Sequence, residues 1–473
     1  MTLSWIDWTV LAATLLTIVG YGTWVTRNNK TAQDYIKGGN TTRWWTIGLS
    51  VMATQASAIT FLSTTGQAFS DGMGFVQFYF GLPIAMVIIC LVFIPIYHRL
   101  KVYTAYEFLE NRFDLKTRSL TAILFLIQRG LAAGITIFAP AIILSIVLGI
   151  NIVYLNVIIG VLVIIYTVSG GTKAVTVTQK QQMFVIFAGM LAALFITLQL
   201  IPDEVSFSDA IEIAGANGRM EVLDFSFDLE NRYTVWSGLI GGTFLALSYF
   251  GTDQSQVQRY LSGSNVKNMQ MGLIFNGLLK VPMQFFILLV GVMVFVFYQF
   301  NPAPLNFIDA STETVLASEY GDDYRILQTK QQQLFEKKKA LSIQLSKTDN
   351  QELKQDIYKL DSIEKTYRSA SKFLIKKAID PEYVASYTKL QNEVATLKSN
   401  PQSEAYISKS EALKTLYNAA AKDTQTNDRD YMFIRFILNH LPVGLIGLLL
   451  AVILSAAMSS TASEINALAT ITS

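Results

Sequence analysis

Two cationic side chains stand inside apolar runs of this sequence. Arg129 follows Gln128 in a stretch flanked by Leu and Ile, and Lys280 follows Leu278-Leu279 in a run that continues through Phe285-Phe286. A charged group in the hydrocarbon of a bilayer is costly, and one that persists there is a functional candidate by default. A guanidinium can hold a carboxylate through two parallel hydrogen bonds, so Arg129 suits an anionic solute. The competing reading has it snorkel to the interface or pair with a neighbouring helix, and Lys280 carries the same alternatives. Uncharged oxygens offer a second chemistry. Ala53 to Ala58 is a weak helical stretch followed by Gly66, and Ser459-Ser460 sit late in another apolar run. Where a membrane helix unwinds, freed carbonyls and nearby hydroxyls can hold an alkali cation, although small residues also simply permit close helix contact. Gln67, Gln77 and Tyr79 read as vestibule lining or as packing polar groups. The single cysteine, Cys90, and the two histidines, His98 and His440, build no disulfide, zinc site or redox pair. No nucleophile–base set or phosphate loop points to an enzyme.

The elements that must position these residues are apolar runs of about 20 residues, long enough to cross roughly 30 Å of hydrocarbon. They run near Trp5 to Val25, Trp45 to Phe69, Phe75 to Tyr97, Leu120 to Leu148, Ile152 to Val168, Gln182 to Ile201, Thr234 to Tyr249, Met271 to Phe300 and Phe433 to Ala457. Of the 473 residues 51% are hydrophobic and only 15% charged, against about 25% charged in a soluble domain. Mean hydropathy is +0.37. A net charge of +2 gives no basic excess for a nucleic-acid partner. The first run lacks a basic leader and is too long for a signal peptide.

Loop charge predicts orientation. Arg27, Lys30, Lys37 and Arg43 follow the first run; Arg99, Lys101, Arg112, Lys116 and Arg118 follow the third; Lys173, Lys180, Arg259 and Lys267 lie in later turns. These loops alternate correctly to be cytoplasmic under the positive-inside rule. The N-terminus and the acidic loop from Pro202 to Arg232 are then outside. Residues 1–308 form eight spans of a membrane domain and 431–473 the ninth. Between them, residues 309–430 hold 19 basic and 19 acidic residues, about half the chain's charge. Stripes at Leu327, Leu334, Leu341 and Leu345, and at Ile357, Leu360, Ile363 and Tyr367, predict a helical hairpin. This external insertion reads as a solvated excursion, or more sharply as a platform for a protein partner or a lid.

Several segments resemble the sodium/solute symporter family, the sodium-driven carriers of sugars, iodide, multivitamins, proline and sialic acid. They are Ser57-Ala58-Ile59-Thr60-Phe61-Leu62 with Gly66-Gln67-Ala68-Phe69, Ala139-Pro140-Ala141, Ser169-Gly170-Gly171-Thr172-Lys173-Ala174-Val175, Tyr249-Phe250-Gly251-Thr252-Asp253-Gln254 with Gln258-Arg259-Tyr260-Leu261, and Leu441-Pro442 with Ala456-Ala457-Met458-Ser459-Ser460. Each is weak alone; their order and spacing make the match specific, and it covers the chain outside the insertion. The resemblance implies an all-α LeuT-type bundle of two inverted five-helix repeats after an extra N-terminal helix. The first repeat begins at Trp45, and the second, from Thr234, reaches only its third member.

The resemblance also implies a sodium site whose ligands fall on Ala53, Ala56, Ala456, Ser459 and Ser460. A second sodium site seen in some members uses an Asp where this chain has Gln179, and a hydroxyl where it has Ala462, so one sodium is expected. Toward the solute, Tyr249 matches an inner gating tyrosine and Lys280 a lysine that contacts sugar. Thr60 and Ala246 stand where the sugar carriers have an amide. The solute candidates are therefore Thr60, Gln67, Gln77, Arg129, Tyr249 and Lys280. The expectation is a multi-pass symporter of the cell (inner) membrane that imports a small organic or anionic solute with sodium. The alternative is a transporter-like sensor module of a signalling protein.

Overall fold

The computed structural model describes residues 3–472 apart from 28–31, 229–230, 349, 399–400 and 424. Among these residues the chain is helical, with one isolated bridge between Thr42 and Gly263. It divides into two compact units. The first comprises Met1–Thr197, Met220–Val292 and Ile434–Ser473; the second comprises Leu198–Arg219 and Met293–Phe433.

The helices that carry the apolar runs are α1 (Trp5–Thr26), α2 (Trp44–Gln55), α3 (Ala58–Asp71), α4 (Met73–Leu100), α5 (Leu115–Leu148), α6 (Ile152–Gln199), α7 (Gly242–Thr252), α8 (Gln254–Leu261), α9 (Val266–Phe300) and α10 (Leu445–Thr472). Six of them are long and apolar enough to cross a membrane, or seven once α2 and α3 count as one bent span. Nine spans were expected, and the difference has local causes. The runs at Ile152 and Gln182 merge in α6, whose 48 residues would reach about 72 Å if straight. Its backbone leaves the helical region at Gly171, at φ 53° and ψ −141°, where the Tyr35 carbonyl and ring lie against the glycine. A side chain there would be strained and would collide. Tyr166 and Thr178, on either side of that break, both lie against Gly22 of α1. Twelve residues of straight helix would separate them by about 18 Å, so α6 folds back on itself. The run at Thr234 is helical over residues 235–252, with a π-turn at Ser237–Gly241 leading into α7, and Gly and Ser residues dilute its hydropathy.

The last run lies further along the chain than expected. Phe433 falls in a separate amphipathic helix, Arg429–His440, and α10 starts only at Leu445. Pro442 and Gly444, at φ 88°, end the first helix and turn the chain. The buried Asp7 of α1 then accepts the Gly444 and Gly447 amides at 2.7 and 3.0 Å. It thereby satisfies donors that the start of a helix leaves open.

The second unit is larger than hydropathy suggested. It includes the hairpin Gly321–Leu345 and Gln351–Ile379, but also the helix Phe207–Ala216. Leu334, Leu345 and Ile357 of the expected stripes are buried, whereas Ile363 is exposed. The missing pieces are buried charges. Arg219 grips Asp361 through both terminal nitrogens at 3.2 Å. Lys338 bridges Asp361 at 3.3 Å and Glu364 at 2.9 Å, and Arg368 meets Glu364 at 3.2 Å.

Candidate functional site

The weak stretch in the second apolar run is a true break. α2 ends at Gln55, Ala56 has φ −85° and ψ 87°, Ser57 is extended, and α3 departs at 67° to α2. The Ser57 amide turns back to the Gln55 carbonyl at 3.2 Å. The Ala53 carbonyl loses its usual partner four residues on and accepts instead from the Ser459 hydroxyl of α10 at 2.9 Å. Ser460, one residue further, folds its hydroxyl back on the Ala456 and Ala457 carbonyls at 3.2 and 3.3 Å. Ala53, Ala56, Ala456, Ser459 and Ser460 are all buried. The oxygens are hard and neutral, and the C-terminal end of α2 brings the negative pole of its dipole to them. Such a set can coordinate an alkali cation and offers little to a softer metal. No group of His, Cys, Asp or Glu able to hold a metal occurs among the described residues.

Beside this set sits a residue that sequence reasoning gave no task. The Gln179 amide nitrogen approaches Ser463 Oγ at 2.7 Å, Thr54 Oγ1 at 3.0 Å and the Ser459 carbonyl at 3.1 Å. Its oxygen accepts from Ser50 at 2.5 Å. α2, α6 and α10 therefore meet on one side chain, with N–H hydrogens aimed where a carboxylate would present oxygens.

The solute candidates separate on inspection. Lys280 is fully buried, and its ammonium has no hydrogen-bond partner. It lies 5.7 Å over the Tyr79 ring, a cation–π contact, and Tyr79 has Tyr249 as an electrostatic neighbour. One turn on, Gln284 is equally buried with both amide atoms unpartnered. Sequence reasoning missed Gln284; its position four residues after Lys280 in an apolar run was the signal. Pro282 lies between them. Tyr249 faces the other cation, with Arg129 5.7 Å from its ring.

Arg129 is not available to a solute carboxylate in this conformation. Its guanidinium is paired with Asp253, the cap of α8, and with Glu464 of α10 at 3.0 Å. Neither acid is at helical spacing from Arg129, so the sequence could not announce the pairing. Gln77 is also occupied. It donates to the Gly74 and Tyr233 carbonyls at 3.1 and 2.9 Å and accepts the Asp224 amide at 2.8 Å, which fastens the loop before α7. Thr60 and Gln67 are half-buried on α3.

Residues 35–319 match the family described as SSF, the sodium:solute symporter family. Human sodium/iodide cotransporter is 32% identical over 299 residues, which cover 62% of this chain and 45% of that protein. Human sodium-coupled monocarboxylate transporter 1 is 32% identical over 52% of this chain and 40% of that protein. The sodium/glucose cotransporter of Vibrio parahaemolyticus is 29% identical over 62% of this chain and 56% of its own length. The chain thus spans about half the length of the curated relatives it matches. A solved structure of a Na+-coupled sialic acid symporter, substrate-bound and outward-open, superposes over 99% of this chain and 72% of that one. The TM-score is 0.66 at 21% identity. That likeness shows the fold, a LeuT-type helical bundle.

Proposed function

The chain belongs to the sodium:solute symporter family, and from that premise we propose that it imports a small monovalent anion together with one sodium ion by alternating access. The observation that carries the sodium half is the Ser459 hydroxyl on the Ala53 carbonyl, at the break between α2 and α3. The carbonyls of Ala53, Ala56 and Ala456 and the hydroxyls of Ser459 and Ser460 supply the ion's oxygens. Because none is charged, the site is weak, and filling it follows the sodium gradient. Gln179 supports a single ion, since its amide hydrogens repel a cation where a carboxylate would hold one.

Lys280 supports the anionic solute. A buried ammonium with no hydrogen-bond partner is destabilising, and a monovalent anion neutralises it. Gln284 adds an N–H donor on the same face of α9. Relatives named for iodide and for monocarboxylates carry such anions. Arg129, Asp253 and Glu464 tie α5, the junction of α7 and α8, and α10 together. This reading makes the triad a latch that parts when the solute leaves. The basic loops face the cytoplasm of a cell (inner) membrane, and the N-terminus and the insertion lie outside.

The test is uptake by the full-length protein in vesicles. Labelled iodide, short monocarboxylates, sugars and amino acids are offered with and without an inward sodium gradient. Uptake indifferent to sodium removes the proposal. Preference for a neutral sugar removes its anionic half and leaves the sodium half standing.

A further inference from the structure

The face that carries the basic loops holds a cavity of about 370 Å³ that the transport chemistry leaves unused. Its polar lining includes Lys37, Asn40, His98, Lys101, Tyr103 and Ser264. Three segments form it: the end of the short helix Ala32–Lys37 with its following turn, the end of α4, and the turn before α9. The Lys37 ammonium donates to the Lys101 carbonyl at 3.2 Å and lies 4.0 Å over the Tyr103 ring, so it keeps donors in reserve. The nearby carboxylate of Glu107 is held by the Tyr103 and Thr104 amides at 3.0 and 3.2 Å. Among the described residues no carboxylate lines the cavity.

The backbone turns sharply at the rim of the cavity. Asn40, at φ 51°, and Lys101, at φ 53°, are the non-glycine residues of positive φ among the described residues. Both line this cavity. Lys101 is the left-handed cap that ends α4, its amide returning to the Tyr97 and His98 carbonyls, and Asn is a residue that tolerates this region. For the β-carbon of a lysine the conformation is uncommon, and here it places a charged residue at the rim.

We propose that this cavity binds the phosphate-bearing headgroup of an anionic phospholipid from the leaflet beside it. A lipid fits better than a soluble anion because the remaining lining is apolar, with Val102, Leu261 and Met269. Leu100 beside the cavity and Tyr103 in its lining are exposed, 37% and 43%, and tyrosine is a residue favoured at a membrane interface. Basic pockets between spans on the cytoplasmic side recognise such headgroups by charge. A bound headgroup would join the three segments, two of which the Thr42–Gly263 bridge already brings together.

The experiment titrates the purified full-length protein in detergent with phosphatidylglycerol and, separately, phosphatidylcholine, counting bound lipids by native mass spectrometry. Phosphatidylglycerol is expected to bind more tightly. Lys37→Gln and Lys101→Gln should each weaken it about fivefold, the effect of one interfacial lysine, and leave phosphatidylcholine unchanged. Lys37→Arg keeps the charge and should keep the lipid, which separates a lost contact from a damaged fold. Lys116→Gln, a basic residue outside the cavity, should bind like the parent. Equal binding of the two lipids overturns the proposal, as does parental binding by both glutamine variants. Displacement of the lipid by millimolar inorganic phosphate overturns the lipid assignment in favour of a soluble anion.

Discussion

The hydroxyl of Ser459 donates to the carbonyl oxygen of Ala53 at 2.9 Å, across 406 residues of sequence, at the point where α2 stops being a helix. α10 thus satisfies a carbonyl that the break would orphan. If Ser459 is a sodium ligand as proposed, Ser459→Ala removes a contact worth about 1 kcal/mol. The sodium concentration for half-maximal uptake should rise roughly fivefold, with membrane insertion unchanged because alanine suits a helix. Ser460→Ala should act in the same direction. If both variants titrate with sodium like the parent, the ion binds elsewhere.

Gln179 makes the stoichiometry testable. Its amide nitrogen is within 3.1 Å of Thr54, Ser459 and Ser463 oxygens. Gln179→Asp replaces those hydrogens with carboxylate oxygens among hydroxyls that can turn to face a cation. The sodium dependence of uptake should then steepen from first towards second order, whereas Gln179→Leu should leave it first order. An unchanged slope in the aspartate variant would show that the neighbouring oxygens do not form a second site.

Lys280→Gln should cost the solute its charged partner, a loss of about 1.5–3 kcal/mol in binding. For a monovalent anion that is roughly a 10- to 150-fold weaker affinity. The same variant should be as stable as the parent or more so, because a buried ammonium without a hydrogen bond or counter-ion destabilises the empty protein. Solute titration and thermal unfolding of the two proteins check the pair of outcomes. A variant that unfolds more easily but binds solute normally would make Lys280 structural.

What could be read in the sequence was whatever local chemistry controls. Helix existence followed from apolar runs, and the family motifs drew attention to the stretch in which the break at Ala56 lies. Legible family motifs put Ser459 and Ser460 within reach of it. What could not be read was pairing across long separations. Arg129 carries no acid at helical spacing, so its tie to Asp253 and Glu464 needed the fold. Hydropathy likewise counted Asp361 and Lys338 as solvated, whereas Arg219 and Glu364 draw them inside. The hairpin in α6 was legible as two runs, yet only Gly171's backbone shows how one helix becomes two.

Arg129→Gln tests whether the triad is a latch or a solute contact. The substitution strands two carboxylates, Asp253 and the buried Glu464. Removing one partner of a buried ion pair costs about 3–5 kcal/mol, so the expected result is a large drop in melting temperature. Adding Glu464→Gln should restore part of it. Solute affinity in whatever protein remains folded should change far less than in Lys280→Gln. The reverse ranking would return Arg129 to the solute.

Glu364 predicts an acid limit for the second unit. Burial pushes its carboxyl up, but Lys338 and Arg368 beside it outweigh burial and hold it at about 2, below the ordinary 4.5. A carboxyl depressed by folding contributes stability above its unfolded value, and that contribution is lost as the pH falls through its folded value. The full contribution is therefore present at neutral pH and drains away from about 4.5 down to about 2. Hydrogen exchange of the full chain should show the helix Gln351–Ile379 losing protection through that window. Glu364→Gln should lower protection at neutral pH and flatten the acid dependence, because the amide cannot titrate and cannot match the charge of Lys338. If parent and variant share one acid profile, the stability lost in acid comes from another group.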